Sequence, residues 1–107
     1  MAVVYHLVLP SSWDASPGED YRAASLATEG FIHCSYAEQV AASANRFYAA
    51  ADAVLVLSVD PDKLTSPLKA EPAGSGELFP HVYGPINRDA VTSVRPLARD
   101  AAGKWVF

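Results

Sequence analysis

The sequence predicts an α+β fold, with helical patterns concentrated in the first half of the chain and strand patterns in the second. Behind "CSYAEQV", apolar residues recur every three or four positions and predict one main helix at about 36–50. Apolar runs rich in β-branched residues at 3–9, 53–59 and 90–97 predict strands. Neither the regular strand–helix alternation nor the G-x-G-x-x-G fingerprint of a doubly wound nucleotide-binding fold is present in the sequence.

Length and composition indicate a single domain over residues 1–107. Half of the 107 residues are hydrophobic and 19% are charged, which is ordinary globular usage. The net charge is -4 and the basic residues are scattered, so we expect no stable non-specific binding to nucleic acid. The N-terminal apolar run is interrupted by His6 and ends at Pro10, which predicts neither a signal peptide nor a membrane span. We therefore expect a cytoplasmic protein.

The first half contains short elements around the main helix. "SSWDA" at 11–15 predicts a short helix capped by Ser11 or Ser12, and 21–23 predicts a short strand. "SYAE" has the capping-box pattern, which predicts reciprocal hydrogen bonds between Ser35 and Glu38 at the start of the main helix.

The second half is predicted to be mostly extended. "DPD" at 60–62 predicts a turn, and the prolines in "TSPLKAEP" favour an edge strand. "ELFPHVYGPI" at 77–86 is predicted to be extended, and "RDAAGKWVF" predicts a tight hairpin with Gly103 in its turn.

The three histidines, His6, His33 and His81, all lie in apolar or aromatic runs: "VVYHLVL", "GFIHCSY" and "ELFPHVYGPI". A buried neutral imidazole needs hydrogen-bond partners for both ring nitrogens. Strand-borne histidines that converge would line a pocket suited to binding or proton transfer. The alternative is that each histidine donates to a backbone carbonyl in the core. No two histidines have the spacing of a helical metal motif, so we expect no metal.

Several residues near the histidines are candidate ligand contacts. Tyr5, Tyr36 and Tyr83 could stack on a flat ring, or they could be ordinary core aromatics. Ser35 could cap the main helix and also face an anionic ligand at the helix N-terminus. Arg46 is a candidate phosphate contact.

Two further residues carry reactive groups. Cys34 follows His33 on the same predicted strand, so the two side chains point to opposite faces and make a poor catalytic pair. A buried structural role for Cys34 is favoured. Glu77 opens the last extended segment and is either a solvated loop carboxylate or a functional one.

Taken together, "VYHLV", "EGFIHCSYAEQV" with "ANRFY", "LVLSVDPDKL" and "GELFPHVYGPI" resemble the bacterial family called domain of unknown function 952. The resemblance extends over nearly the whole chain. That family is similar, at a greater distance, to the ADP-ribosyltransferase-like fold, and most of all to the catalytic lobe of NAD-dependent RNA 2'-phosphotransferase. The resemblance implies two small, mostly antiparallel sheets with NAD in the cleft between them.

The resemblance also implies roles for individual residues. His6 would contact the adenosine or nicotinamide ribose, and His33 and Ser35 would line the nicotinamide or phosphate side. Glu77 or His81 would occupy the third-strand position, where a carboxylate stabilises the positive charge that develops on the ribose. The implied protein binds NAD or a related ADP-ribose nucleotide, and the implied reaction is ADP-ribosyl or phosphoryl transfer.

Three other functions stay open at the level of the sequence. The first is a non-catalytic ligand- or protein-binding module on the same fold. The second is a metal-dependent hydrolase that uses the three histidines. The third is a thiol transferase that acts through Cys34, which near-complete burial of the thiol would exclude.

Overall fold

The structure is a computed structural model that describes residues 2–15 and 18–107. Its helices are α1 (Pro10–Asp14), α2 (Ala24–Glu29) and α3 (Val40–Phe47). Its strands are β1 (Val4–Val8), β2 (Ile32–His33), β3 (Leu55–Val59), β4 (Leu68–Pro72), β5 (Leu78–Val82), β6 (Val91–Pro96), β7 (Ala98–Arg99) and β8 (Trp105–Val106).

Two three-stranded antiparallel sheets form the body of the fold. The first has the order β1-β3-β6, with His6 opposite Leu57, and the second has the order β2-β5-β4, with His33 opposite His81. A single bridge between Tyr5 and Ser35 connects β1 to the chain that follows β2. These sheets confirm the predicted α+β class and its antiparallel pairing.

The first sheet is covered on both faces, because alternate residues of a strand point to opposite sides. From β1, Val4 and Val8 pack into the main cluster, whereas Leu7 packs into a second cluster under α3. The main cluster also takes side chains from the second sheet. Its buried residues are Val4, Val8, Tyr21, Ile32, Cys34, Leu57, Val59, Val82, Ile86 and Ala90.

The main helix exists but is shorter than predicted, and it begins differently. A turn of 3-10 helix at Ala37–Gln39 leads into α3, which ends at Phe47. The predicted capping box is wrong by one residue, because the backbone amide of Tyr36 donates to Gln39 Oε1 at 3.0 Å. Ser35 cannot cap the helix, since its backbone pairs with Tyr5 and keeps the chain extended at that point.

Two other predictions for the first half are corrected. The helix α1 begins at Pro10 with no side-chain cap, so neither serine serves as its cap. The predicted strand at 21–23 is reduced to one bridge between Tyr21 and Ile86, and α2 follows it. The helix α2 was not predicted, because it has no fully buried residue and its sequence shows no apolar periodicity. It ends at Gly30, whose φ of 87° favours glycine.

The predictions for the second half are confirmed, except that the extended segment predicted at 77–86 forms a strand over Leu78–Val82 and bends at 83–84. Asp60 accepts from the amide of Asp62 at the predicted turn, β4 lies at a sheet edge, and β7 and β8 form the hairpin around Gly103. After β5 the chain passes close to Ser66, and a Cβ on Gly84 would lie 2.4 Å from the Ser66 hydroxyl oxygen. None of the helices within residues 2–15 and 18–107 has the length and apolar character needed to cross a membrane.

Candidate functional site

The second sheet buries one face in the main cluster and leaves the other face partly open. Alternation along the strands places Ile32 and Val82 in the core and turns His33 and His81 outward. Chemistry-bearing side chains gather on the open side. We call this set the histidine face: Glu29, Phe31, His33, Lys69, Glu71, His81 and Tyr83.

The side chain of His81 is held by a carboxylate. Nδ1 of His81 lies 2.9 Å from Oε1 of Glu71, and the Tyr83 hydroxyl donates to the same oxygen. These two hydrogen bonds, from Tyr83 first and His81 second, hold the pKa of the Glu71 carboxyl below its usual range. The carboxylate in turn raises the pKa of the Tyr83 hydroxyl. Because ionised Glu71 can only accept, the proton of the neutral imidazole resides on Nδ1 of His81.

The other ring nitrogen of His81, Nε2, has no hydrogen-bond partner among the described residues. In the same part of the chain, every buried side-chain nitrogen and oxygen does have a partner. The Nε2 atom is therefore not buried, although only 12% of the His81 side chain is exposed. A lone pair on an oriented imidazole is thus directed toward solvent or a ligand.

His33 lies opposite His81 and has a similar partner. Its Nε2 atom is 2.9 Å from Oε2 of Glu29, which precedes it by four residues, and the side chain of His33 is 54% exposed. The centroids of the two imidazole rings are 5.4 Å apart and their planes are nearly perpendicular. The histidine face therefore carries two carboxylate–imidazole pairs side by side.

Aromatic rings hold this arrangement together. The ring of Phe31 stacks on His81 with centroids 4.1 Å apart and contacts His33 edge-on at 4.8 Å. Tyr83 lies 5.3 Å from Phe31, and Nζ of Lys69 lies 4.9 Å from the centre of the Tyr83 ring. The result is a surface of flat rings, with one ammonium group and two carboxylates around it.

The third histidine, His6, is not part of this face. It is 6% exposed and lies in the core between the sheets, where its ring is 5.3 Å from that of Tyr21. Nδ1 of His6 donates to the backbone carbonyl of His33 at 2.6 Å, and Nε2 accepts from the Tyr21 hydroxyl at 3.2 Å. Burial lowers the pKa of His6 to about 4, so the ring is neutral and both nitrogens are occupied.

Glu77 and Ser35 are also placed away from the histidine face. Oε2 of Glu77 accepts from the buried amide of Gln39 at 2.9 Å, and the same amide donates to the Leu78 carbonyl. Four residues of extended chain, about 13 Å, separate Glu77 from His81. Ser35 is buried, and its hydroxyl donates to that of Ser43 at 3.3 Å.

Three of the candidate ligand contacts are likewise elsewhere. The Tyr5 ring packs edge-on against Phe107 at 4.9 Å. Tyr36 lines a small cavity of about 240 Å³ near the N-terminus. Arg46 is exposed on α3, with its guanidinium 5.1 Å from the ring of Phe47. Of the tyrosines and arginine predicted to bind a ligand, the structure brings Tyr83 together with His33 and His81.

The geometry does not support two of the alternative functions, the thiol transferase and the metal-dependent hydrolase. Cys34 is buried, and burial raises the pKa of its thiol to about 12, so the thiol is protonated and out of reach. This excludes the thiol-transferase alternative. Over residues 2–15 and 18–107, no three His, Cys, Asp or Glu side chains are arranged to hold a metal ion. The three histidines therefore do not form the ligand set that a metal-dependent hydrolase would need.

A separate groove of about 530 Å³ lies on the other side of the first sheet, and it contains none of the histidines. Its lining residues are Ala37, Glu38, Val56, Arg95, Pro96, Leu97 and Phe107.

Sequence reasoning missed four side chains of the histidine face: Glu29 at the end of α2, Phe31 just before β2, and Lys69 and Glu71 on β4. Lys69 and Glu71 alternate in the predicted edge strand "LKAEP", which places both on one face. Phe31 and His33 are related in the same way. That spacing was readable, but the strand pairing that brings Glu71 to His81 was not.

The fold is that of a small α+β protein with antiparallel sheets, and the histidine face lies on the open side of its second sheet. The chain belongs to the family described as Protein of unknown function (DUF952), whose model matches residues 7–94.

Solved structures of a protein from Caulobacter crescentus are similar to this chain in sequence and in fold. The crystal structure of protein CC0527 from Caulobacter crescentus is 30% identical and has a TM-score of 0.84, covering 98% of this chain and 94% of that one. The solution NMR structure of CC0527 is 32% identical with a TM-score of 0.79, covering 97% and 91%. No curated protein matches the chain.

Proposed function

We propose that the protein binds a nucleotide of the NAD or ADP-ribose class on the histidine face, with the nicotinamide and its ribose against the sheet. One observation carries this proposal: flat rings, an open imidazole nitrogen and ionised oxygen acceptors occur together on a single accessible surface. Ligand sites combine apolar or aromatic surface with a few placed polar groups in this way.

The chemistry of the nicotinamide end matches these groups. A flat ring can stack beside Phe31 and Tyr83, and ribose hydroxyls can donate to Nε2 of His81. The nicotinamide ring of oxidised NAD carries a positive charge, which the carboxylates of Glu29 and Glu71 attract. Lys69 provides one cation for a phosphate oxygen.

The proposal changes the ribose contact that the resemblance implies. His6 has no free nitrogen, since one donates to a carbonyl and the other accepts from Tyr21. We therefore assign the ribose to His81 and the nicotinamide ring to the surface beside Phe31 and Tyr83. The ADP-ribosyltransferase-like architecture remains part of the proposal, and so does ADP-ribosyl or phosphoryl transfer as the reaction. Glu71, rather than Glu77, is the carboxylate suited to stabilise positive charge on the ribose.

Thermal unfolding with added nucleotide tests the proposal. A ligand at about ten times its dissociation constant stabilises the folded protein by roughly 1.4 kcal/mol, which raises Tm by about 5 °C. We expect this shift with NAD and with nicotinamide mononucleotide, and a smaller shift with ADP-ribose, which lacks the ring.

Matched variants locate the binding site. Lys69→Ala and Lys104→Ala each remove one exposed ammonium group. Lys104 lies in the hairpin between β7 and β8, outside the histidine face, and serves as the control. We expect Lys69→Ala and His81→Ala to reduce the shift and Lys104→Ala to retain it. No shift with millimolar NAD, or an equal shift in His81→Ala, would contradict the proposal.

A further inference from the structure

We propose that Glu71 and His81 form a catalytic carboxylate–imidazole pair, in which Nε2 of His81 removes a proton from a water or alcohol that attacks the bound ligand. The identity of the ligand rests on the proposed function, whereas the pair itself rests on the geometry of β4 and β5.

The first support is the direction of the hydrogen bonds. Glu71 is ionised and accepts from Nδ1 of His81, so the lone pair of the neutral imidazole is on Nε2. That nitrogen has no partner in the described part of the chain and is not buried. A general base requires this combination: a fixed tautomer on one side of the ring and an unoccupied nitrogen on the other.

The second support is restraint of the imidazole. The carboxylate fixes one edge of the ring, and Phe31 stacks on its face at 4.1 Å with an interplanar angle of 20°. Tyr83 donates to the same Glu71 oxygen and so restrains the carboxylate as well. A base held in one orientation avoids part of the entropic cost of reaching the transition state.

The other two histidines are less suited to this role. His6 is neutral but has no free nitrogen. His33 has a carboxylate partner, yet its side chain is 54% exposed against 12% for His81, so it is more solvated and less restrained. We therefore assign the proton transfer to His81 alone.

Attack of the oxygen on the ligand is accompanied by proton transfer to His81. The attacking oxygen uses a lone pair to form a bond to the electrophilic carbon of the ligand, and its proton moves to Nε2 of His81. The bond from that carbon to the leaving group breaks, and its electron pair departs with the leaving group. With NAD the leaving group is neutral nicotinamide. His81 then returns the proton to solvent, and Glu71 stabilises the imidazolium while it exists.

Two probe reactions test the pair. Hydrolysis of p-nitrophenyl acetate reports on water activation and does not depend on nucleotide binding, and release of nicotinamide from NAD reports on the proposed ligand. The variants are His81→Gln, Glu71→Gln and the control Glu38→Gln, which makes the same carboxylate-to-amide change at an exposed position outside the face. Circular dichroism and Tm establish that each variant is folded.

We expect His81→Gln to lower kcat of both reactions by about 100-fold or more, as for loss of a general base. Glu71 acts through His81 and is a positioning residue. Glu71→Gln should therefore lower kcat about tenfold and leave KM within twofold. Nitrogen-15 NMR of the imidazoles should show a fixed Nδ1–H tautomer of His81 in the wild type and in Glu38→Gln, and a mixture of tautomers in Glu71→Gln.

The results separate the two proposals. If p-nitrophenyl acetate hydrolysis depends on His81 but NAD neither binds nor reacts, the catalytic pair stands and the nucleotide assignment fails. If NAD binds but both reactions proceed equally in His81→Gln, the catalytic pair is overturned and the binding proposal stands. A loss of kcat as large in Glu38→Gln as in Glu71→Gln would also overturn the pair.

Discussion

His6 and His81 have the same ring tautomer but differ in their burial and in the partner of the second ring nitrogen. Both carry the proton on Nδ1, which His6 donates to the His33 carbonyl and His81 donates to Glu71. At Nε2 they diverge, because His6 accepts from the Tyr21 hydroxyl in the core, whereas Nε2 of His81 has no partner among the residues that the structure describes. The His6 ring links β1 to Tyr21 and to the backbone of His33, whereas the His81 ring leaves Nε2 accessible to solvent.

The difference teaches that an apolar sequence context does not by itself mark a functional histidine. A strand in a two-sheet fold has one face toward the core and one away from it, and residue parity decides which face a side chain occupies. His6 faces the core beside Val4 and Val8. His81 faces outward because Val82 next to it is fully buried.

The largest effect that we predict is the loss of stability in His6→Ala. The change leaves the Tyr21 hydroxyl and the His33 carbonyl without their partner and opens a cavity, which should cost about 3 kcal/mol. Urea unfolding measures it. His33→Ala is the matched control, and its exposed side chain should change stability by no more than about 0.5 kcal/mol. Equal losses in the two variants would contradict the assignment of His6 to the core.

Acid should destabilise the protein through His6. The pKa of His6 is about 4 in the folded state and 6.5 is its ordinary value, so the unfolded state binds more protons between these values. The free energy of unfolding is therefore highest, as far as His6 is concerned, above pH 6.5. It falls by about 3 kcal/mol as the pH decreases from 6.5 toward 4. Urea unfolding at a series of pH values measures this slope. In His6→Gln the free energy of unfolding should depend less steeply on pH between 6.5 and 4.5. An unchanged dependence would contradict the assignment of this effect to His6.

Removal of the stacked ring should affect the other region. Phe31→Ala deletes the contact with His81 and should lower the free energy of unfolding by about 1 kcal/mol. It should also weaken NAD binding by about fivefold, since the ring no longer supports the imidazole or the ligand. Titration calorimetry measures the affinity. Phe47→Ala, which removes an exposed phenylalanine on α3, is the control and should leave affinity unaltered.

The smallest predicted effect concerns Glu71. Tyr83→Phe removes the hydroxyl that is the main cause of the lowered Glu71 pKa, so this pKa should rise toward its ordinary value of 4.5. A carboxyl group with a lowered pKa stabilises the folded state at neutral pH, and this stabilisation is lost as the pH falls through that pKa. In Tyr83→Phe the loss of stability on acidification that is due to Glu71 should therefore be smaller. Carbon-13 NMR of the Glu71 carboxyl measures the shift. A pKa that stays in place would mean that Tyr83 does not donate to Glu71.

Much of the fold could be predicted because its signals are local. The apolar run at 53–59 predicted the strand β3, and the prolines of "TSPLKAEP" predicted the edge strand β4. The errors also have local causes. Ser35 matched a capping pattern, but its pairing with Tyr5 overrode the local preference. The helix α2 has no fully buried residue, and its sequence therefore showed no apolar periodicity.

The sequence by itself determined the class of fold, the family resemblance and the histidines as the residues to follow. These depend on periodicity and on short motifs, which are properties of neighbouring residues. Only the tertiary structure decided that His6 lies in the core and that Glu71 meets His81. That contact joins residues ten apart through the pairing of β4 with β5, and burial and hydrogen-bond partners arise from such pairing. The chemistry of a side chain is set by those surroundings, so sequence pattern could name the histidines without distinguishing their roles.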